Sequence, residues 1–267
     1  GDIIYTGNAN GLAAYSNSNN NHYEQMEDQA LDLQAVLQQS TQSSVTGLEA
    51  EATAGVLTSR AAAKAFLIDG TNRALFRFTL INHMCGDLEP LKDITRAADR
   101  IRQDIARSPG GDSRIFNNSC YGCHAGMDPM IQSFAYYQYE YNVESDPDGE
   151  NGQLIYNSEG EIDPVTGTRV QAKYFNNKAN FPHGFITTDD KWDNYWRAGQ
   201  NSTIGWDENL SGNGYGAKSM GQELANSQQF AKCQVTKVFE EVCLRKPQDS
   251  DDRTQISAMQ SQFAASG

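Results

Sequence analysis

The chain has 267 residues, a hydrophobic content of 38% and a formal net charge of −13 at pH 7. A chain of this length can bury a full hydrophobic core. Its acidic charge argues against binding to DNA or anionic lipid, and no apolar run approaches the ~18 residues that a membrane span requires. The sequence begins at Gly1 without a Met. We therefore expect an exported bacterial protein from which a signal peptide has been removed, in the periplasm or outside the cell.

Residues 1–50 are predicted to form an N-terminal arm and helix. Asn, Gly and Ser dominate residues 1–21, which are typical of a loop, with a short strand predicted at residues 3–6. A helix is predicted over residues 23–39, because apolar residues recur there on one helical side. Residues 51–267 are predicted to form the second and larger unit.

The larger unit is predicted to be mainly helical, with long polar loops. The first part should contain helices over residues 72–85 and 93–107, and a helix with an aromatic face over residues 131–137, near whose first turn Pro129 stands. Residues 142–186 read as a loop-rich insertion whose β-like runs, residues 154–156 and 169–175, predict a small hairpin.

The C-terminal part carries several helix signals. A capping-box pattern at residues 187–190 precedes the aromatic run 192–196, and a further start signal stands at residues 219–222. Helices are predicted over residues 228–244 and 251–264.

One short motif carries the chemistry. Cys120, Cys123 and His124 form C-x-x-C-H, the attachment pattern of a c-type haem, in which two thiols bond to the haem and the next residue ligates its iron. The spacing predicts one covalently attached haem c with His124 as the proximal iron ligand. A zinc knuckle and a thioredoxin-like dithiol are the alternatives, but the first lacks a second ligand pair and the second lacks a βαβ context.

Three cysteines remain outside the motif. Cys233 and Cys243 are ten positions apart on one predicted helix, about 15 Å along its axis, which is too far for a disulfide. Cys85 is therefore expected to pair with one of them. The odd thiol is either buried or bonded to another chain, and burial is favoured.

The pattern Cys120-x-x-Cys123-His124-x-x-x-Asp128-Pro129 resembles that of the planctomycete-type cytochrome c-like domains. The segments around residues 55–85 and 229–245 are similar to that family's lead-in and closing helix, so the resemblance covers roughly residues 50–265. It implies a cytochrome c-like helical haem domain of the cell envelope. It does not supply a substrate.

The second axial ligand of the iron stays open. Met220, in a Gly-rich context before a helix, and His83 are the two candidates that we prefer. His22, His183 and Met84 are further candidates, and an empty sixth site is another alternative. Two methionines follow His124 too closely to reach the opposite haem face and are expected to pack in the core: Met127 and Met130.

Two more groups of residues are candidates for contacts with the haem. Five arginines precede the motif and could pair either with haem propionates or with neighbouring aspartates: Arg96, Arg100, Arg102, Arg107 and Arg114. Four aromatic residues either wall the haem pocket or, as we favour, fill the core: Trp192, Tyr195, Trp196 and Trp206.

Three functions follow from these observations. We expect a monohaem cytochrome that transfers single electrons to redox partner proteins. The second hypothesis is a haem enzyme, a peroxidase or an O2- or NO-handling protein, which requires an open sixth site. The third is a homopolymeric filament in which neighbouring copies pass electrons from haem to haem. Electron transfer is common to the first and third hypotheses, so we favour it.

Overall fold

Helices dominate the architecture. The computed structural model describes residues 2–157 and 167–266, and about 49% of it is helical. In this part of the chain there are ten α-helices, several 3-10 turns and three two-stranded antiparallel sheets. The prediction of a mainly helical protein is confirmed. None of the described helices is long and apolar enough to cross a membrane.

The N-terminal fifty residues form a hairpin with two helices between its strands: β1 (Ile4–Gly7), α1 (Asn21–Asp28), α2 (Leu33–Val36) and β2 (Leu37–Ser40). The predicted strand is confirmed within one residue. The single helix predicted over residues 23–39 is wrong. Ala30 adopts a φ of +48°, and the Asp32 carboxylate accepts a hydrogen bond from the Gln34 N–H to start α2 anew. The segment after Leu37 pairs with β1 instead of continuing the helix.

The N-terminal segment packs on the rest of the chain. Gln42, the first residue of α3 (Gln42–Thr46), is buried and its side-chain amide donates to the carbonyls of Gly55 and Thr58. The guanidinium of Arg60 donates to the Asn20 side chain. These contacts hold the predicted arm against α4 (Arg60–Phe66).

Helix α5 (Arg73–His83) confirms the helix predicted over residues 72–85. The helix predicted over residues 93–107 is wrong, because several backbone groups of that segment hydrogen-bond with a distant part of the chain. The Phe185 N–H donates to the Ile101 carbonyl and the Gln103 N–H donates to the Phe185 carbonyl, at 2.9 and 3.3 Å. The helix was predicted from the local alternation of basic and acidic residues, and a local pattern contains no information on such long-range pairing.

The haem-motif segment also differs from its prediction. After α6 (Ser113–Ile115) and a π-turn (Phe116–Cys120), α7 (Tyr121–Ile131) begins; the π-turn ends on the first cysteine of the motif, and the first turn of α7 carries the rest. Pro129 lies near the end of α7 and not at the start of a helix. The chain continues through a 3-10 turn into β3 (Tyr137–Glu140), where a helix over residues 131–137 was predicted.

The predicted insertion contains half of the expected hairpin. Residues 154–156 do form a strand, but β4 (Gln153–Tyr156) pairs with β3 (Tyr137–Glu140) and not with residues 169–175. The second predicted run contains a 3-10 turn (Ala172–Phe175). Residues 158–166 of the insertion lie outside the described residues.

The C-terminal part consists of a hairpin followed by three helices: β5 (Lys191–Asp193), β6 (Asn213–Tyr215), α8 (Gly216–Ala225), α9 (Gln228–Cys243) and α10 (Ser250–Ser266). Helices α9 and α10 confirm the two predicted C-terminal helices. The start signal at residue 219 is wrong, because Ser219 lies inside α8. The aromatic run at residues 192–196 begins as a strand, so the helix expected after the capping-box pattern is absent there.

One disulfide joins the end of α5 to α9. Cys85 and Cys233 are bonded, with their Cα atoms 5.3 Å apart, which confirms that Cys85 pairs with one of the two C-terminal cysteines. The prediction that the odd thiol is buried is wrong. Cys243 is a free, exposed cysteine, and the residues around it at the end of α9 are exposed as well.

We expect the double substitution Cys85→Ser/Cys233→Ser to lower the free energy of unfolding by about 2–5 kcal/mol. The disulfide closes a loop between residues 148 positions apart, so its loss restores chain entropy to the unfolded state. Urea titrations followed by circular dichroism measure the change. Cys243→Ser is the matched control and should leave the midpoint unchanged; an equal effect of both variants would contradict the prediction.

Candidate functional site

Cys120 is the last residue of the π-turn, and Cys123 and His124 lie in the first turn of α7. Cys120 and Cys123 are free and partly exposed, so both thiols can be reached from outside. The Cys123 sulfur lies 3.9 Å from the Leu88 carbonyl oxygen. Burial raises the pKa of the Cys123 thiol. His124 follows with its side chain 17% exposed. The three side chains therefore lie at an accessible stretch of a helix whose remaining turns are buried.

Two glycines allow close packing of the side of α7 that lies opposite His124. The indole of Trp196 lies where a side chain on Gly126 would have to be, and the backbone and side chains of residues 92–94 occupy the space beside Gly122. Because any larger residue would overlap these neighbours, the rotation of α7 about its axis is fixed. This rotation decides which way His124 points.

A network of charged side chains holds His124. Its Nδ1 lies 2.9 Å from Asp128 Oδ1, one helical turn further along α7. The guanidinium of Arg73 donates two hydrogen bonds to Asp128, at 2.8 and 2.9 Å, and two more to Asp104, at 2.5 and 3.1 Å. The backbone N–H of Arg102 donates to Asp128 Oδ2 at 3.3 Å. With Nδ1 hydrogen-bonded to Asp128, Nε2 is the nitrogen of His124 that is left for a ligand.

The carboxylate of Asp128 is ionised although it is fully buried. Burial by itself would raise its pKa, but the charge of Arg73 and the hydrogen bonds from His124 and Arg73 outweigh that effect and hold the pKa well below its usual value. A buried carboxylate acceptor keeps the proton of a neutral imidazole on Nδ1. The network therefore sets both the orientation and the tautomer of His124.

An open groove of about 490 Å³ lies next to the π-turn that precedes α7, since Phe116 and Asn117 of that turn line it. We call it the aromatic groove; Phe116, Phe181 and Phe185 line it together with polar residues that include Asp99, Arg107 and His183. Phe116 and Ile101 also belong to a small apolar cluster with Ala125 of α7, and Cys120 packs against that cluster. Cys120, Cys123 and His124 themselves do not line the groove.

The predicted axial ligands lie in different parts of the molecule. Met220 is fully buried in the main hydrophobic core, and so is Met84, the other candidate methionine ligand. Met127 and Met130 lie in the same core. The packing predicted for Met127 and Met130 is confirmed. His83 is the last residue of α5, and its Nε2 is buried without a hydrogen-bond partner among the described residues.

The two other histidines differ in their freedom to bind a ligand. His22 is engaged at both ring nitrogens, since Nε2 accepts from the Gly7 N–H at 2.8 Å and Nδ1 lies 2.7 Å from the Ala13 carbonyl oxygen. His183 is exposed and lines the aromatic groove. Neither Met220 nor His83 lines that groove.

The five arginines before the motif already have partners in the protein. Arg96 and Arg114 pair with nearby aspartates, whereas Arg100 pairs with Asp193, 93 positions away, at 2.9 Å. Arg102 is buried and donates to Thr187, and Arg107 donates to backbone carbonyls. Of the aromatic candidates, Trp192 and Trp196 belong to the main core, Trp206 packs against it, and the Tyr195 hydroxyl hydrogen-bonds Asp99.

Sequence reasoning missed the role of Asp128 and Arg73. The spacing of Asp128 from His124 was a usable signal, because residues four apart lie on one face of a helix. The partnership with Arg73 had no such signal, because the two residues are 55 positions apart and meet only where α5 and α7 pack together.

No protein-family model, no curated protein and no solved structure matches the chain. Across residues 2–157 and 167–266, no three His, Cys, Asp or Glu side chains come together as a set of metal-ion ligands.

We expect Asp128→Asn to lower the free energy of unfolding by about 3 kcal/mol, because it leaves a largely buried guanidinium with one carboxylate in place of two. Chemical denaturation measures the change. Asp87→Asn is the matched control, since it removes the carboxylate from the exposed Arg77–Asp87 pair and should change stability far less. Equal effects of the two substitutions would contradict the importance of the buried pair.

Proposed function

We propose that the chain is a monohaem c-type cytochrome that transfers single electrons. The observation that carries the proposal is the arrangement on α7: two free, partly exposed thiols three positions apart, followed by an imidazole whose Nδ1 is tied to a buried carboxylate. These residues fit a haem c. Cys120 and Cys123 would hold it through thioether bonds, and His124 would bind its iron through Nε2.

The bound haem would supply reversible one-electron chemistry. The role of the protein would be to set how strongly the axial ligand, His124, donates electrons to the iron. Asp128 accepts a hydrogen bond from His124 Nδ1 in a buried environment, which makes the imidazole a stronger electron donor. A more basic ligand stabilises the ferric state, so the network favours a low reduction potential.

We also propose the protein family to which the chain belongs, on the basis of the motif. The pattern from Cys120 to Pro129 resembles the planctomycete-type cytochrome c-like domains, and a cytochrome c-like helical haem domain is the fold that this resemblance implies. The mainly helical architecture is compatible with it. We include this family and fold in the proposal.

A location in the cell envelope or outside the cell is also proposed. The Cys85–Cys233 disulfide is compatible with export, because disulfides persist in oxidising compartments. The partners that we propose are redox proteins or neighbouring copies of the chain. The exposed free thiol of Cys243 supports the second kind of partner, since it is available for a bond between copies.

The alternative function is a haem enzyme with an open sixth site. The hydrogen bond between His124 and a carboxylate supports it, because an electron-rich axial ligand also assists cleavage of an O–O bond. Rapid reaction of the loaded protein with peroxide, or tight CO binding by the reduced form, would support the enzyme. A six-coordinate iron that resists both would support the electron carrier.

We expect the wild-type chain, produced together with a cytochrome c maturation system, to carry one covalently bound haem on the peptide that contains Cys120 and Cys123. Mass spectrometry of the intact protein and of its peptides measures this. Cys120→Ser/Cys123→Ser should abolish the attachment, because neither thioether can then form.

Cys243→Ser is the matched control for this experiment and should retain the haem. A wild-type protein without covalent haem that binds a stoichiometric zinc ion would overturn the proposal in favour of a zinc site.

We also expect Asp128→Asn to raise the reduction potential of the loaded protein, because an amide is a poorer acceptor than a carboxylate and His124 would donate less electron density. Spectroelectrochemical titration measures the potential. Asp87→Asn is again the control, since it removes an exposed carboxylate away from this network. An unchanged or lowered potential in Asp128→Asn would refute the role assigned to the network.

A further inference from the structure

The end of α9 carries the two most exposed large apolar side chains in the part of the chain that the structure describes. Val242 is 76% exposed and Leu244 is 88% exposed, and Cys243 stands between them as a free, exposed thiol. Val238, which is 53% exposed, lies one helical turn before Val242 on the same face. We call these four residues the α9 tip. Contiguous exposed apolar side chains are typical of a surface that contacts another protein.

The α9 tip continues an apolar stripe that the protein itself covers further back along the helix. Ala231 and Val235 are buried, and they share one face of α9 with Val238 and Val242 at a 4-3-4 spacing. Ile256 of α10 packs in the same cluster as Val235. The stripe is therefore covered by the packing of the protein as far as Val235, and it is open to solvent from Val238 onward.

The conformation of Leu244 is unfavourable in an isolated copy of the chain. Its φ of +53° and ψ of +29° lie in the left-handed region, where a helix normally ends on Gly or Asn. Its side chain is also almost fully exposed to water. A Leu at this position thus costs free energy both through its backbone and through its side chain, and a molecule that covers the side chain would offset part of this cost.

Charged residues of opposite sign flank Cys243 along the chain. Two acidic residues precede the α9 tip thiol, at positions 240–241, and two basic residues follow it, at positions 245–246. Arg245 pairs with Asp252 of α10. The other three charges form no ion pair within residues 2–157 and 167–266. They are therefore available to a partner, and their order makes the segment complementary to a reversed copy of itself.

We propose that the α9 tip binds the α9 tip of a second copy of this chain, in a twofold-symmetric dimer that a disulfide between the two Cys243 residues closes. This contact specifies how neighbouring copies meet, and it rests on that part of the proposed function alone. In a twofold contact, each residue before Cys243 faces a residue after Cys243 in the other copy. Glu240 then lies toward Lys246 of the second copy, so that unlike charges meet. Val242 lies toward Leu244 of the second copy, so that apolar side chains meet.

The disulfide forms by exchange with an external disulfide. The two Cys243 thiols lose two protons and two electrons, and the external disulfide accepts them and becomes two thiols. The covalent bond is what makes the dimer persist, because a few apolar side chains bury far less than the roughly 1,200 Å² of a stable protein–protein interface. It closes no loop within either chain, so its loss leaves the unfolding midpoint of each chain nearly unchanged.

The test uses the full chain, produced together with a cytochrome c maturation system and incubated in a buffer of reduced and oxidised glutathione. Intact mass spectrometry without reductant counts the chains and the haems in each species, and light scattering measures the mass in solution. We expect a linked dimer, from which a non-reduced tryptic digest releases two joined Cys243 peptides. Cys243→Ser should be monomeric.

A matched control moves the exposed thiol away from the α9 tip. Cys243→Ser/Ser257→Cys places it at an exposed position of α10. This variant should form far less dimer and carry glutathione instead, because nothing at residue 257 orients a second copy. Equal dimer formation by the wild type and by this control would overturn the role of the α9 tip.

Two charge reversals test the antiparallel arrangement. Glu240→Lys alone and Lys246→Glu alone each place like charges opposite one another in a dimer of identical copies, and each should lower the equilibrium constant for dimer formation by about tenfold. A mixture of the two variants, one of them labelled with a heavy nitrogen isotope, should form mainly the mixed dimer, because unlike charges then face each other again. Mixed and unmixed dimers in statistical proportions would contradict the arrangement.

The same spectra separate failure of this inference from failure of the proposed function. A wild type that stays monomeric, or in which Cys243 carries only glutathione or joins a different cysteine, overturns the inference. A haem-loaded monomer therefore overturns the inference and leaves the cytochrome standing. A dimer that is linked through Cys243 but carries no covalent haem overturns the cytochrome and leaves the inference standing.

Discussion

The buried ion pair between Arg73 and Asp128 is the interaction on which the site depends. Each group would be costly to bury alone, and together they are tolerated because Asp128 also accepts hydrogen bonds from His124 and from a backbone N–H, while Arg73 also pairs with Asp104. The pair joins α5 to α7. In doing so it fixes the imidazole that we propose as an iron ligand, so stability and function share the same contacts.

The close packing of α7 complements this pair. Gly122 and Gly126 let the helix approach its neighbours on one side, and the charged network occupies another. Only the turns with the two thiols and the imidazole keep partial exposure. A helix that is buried on most sides and open at one stretch is a rigid support for a covalently attached group, because neither its rotation nor its position can change without disturbing the core.

In the proposed cytochrome, the same contacts would also affect the reduction potential. A hydrogen bond from an axial histidine to a carboxylate held by an arginine in the interior provides a strong and constant electrostatic environment. The exposed carboxylates of this acidic chain are screened by solvent and salt, so they contribute less per charge than Asp128. In the proposed cytochrome, a few buried contacts would chiefly set the reduction potential, and the surface charge would contribute to the recognition of partner proteins.

The sequence alone determined the features that depend on local spacing. The C-x-x-C-H motif can be read directly from the sequence. Local patterns also predicted helices α5, α9 and α10 and the pairing of Cys85 with a C-terminal cysteine, because periodicity, caps and helical geometry act over a few residues. Tertiary structure decided the rest. Residues 93–107 pair with residue 185 and do not form a helix, Asp128 meets Arg73, and Phe181 and His183 come to lie beside Phe116. These contacts join residues that are 55 or more positions apart, and no local pattern encodes which of many compatible partners such a residue will meet.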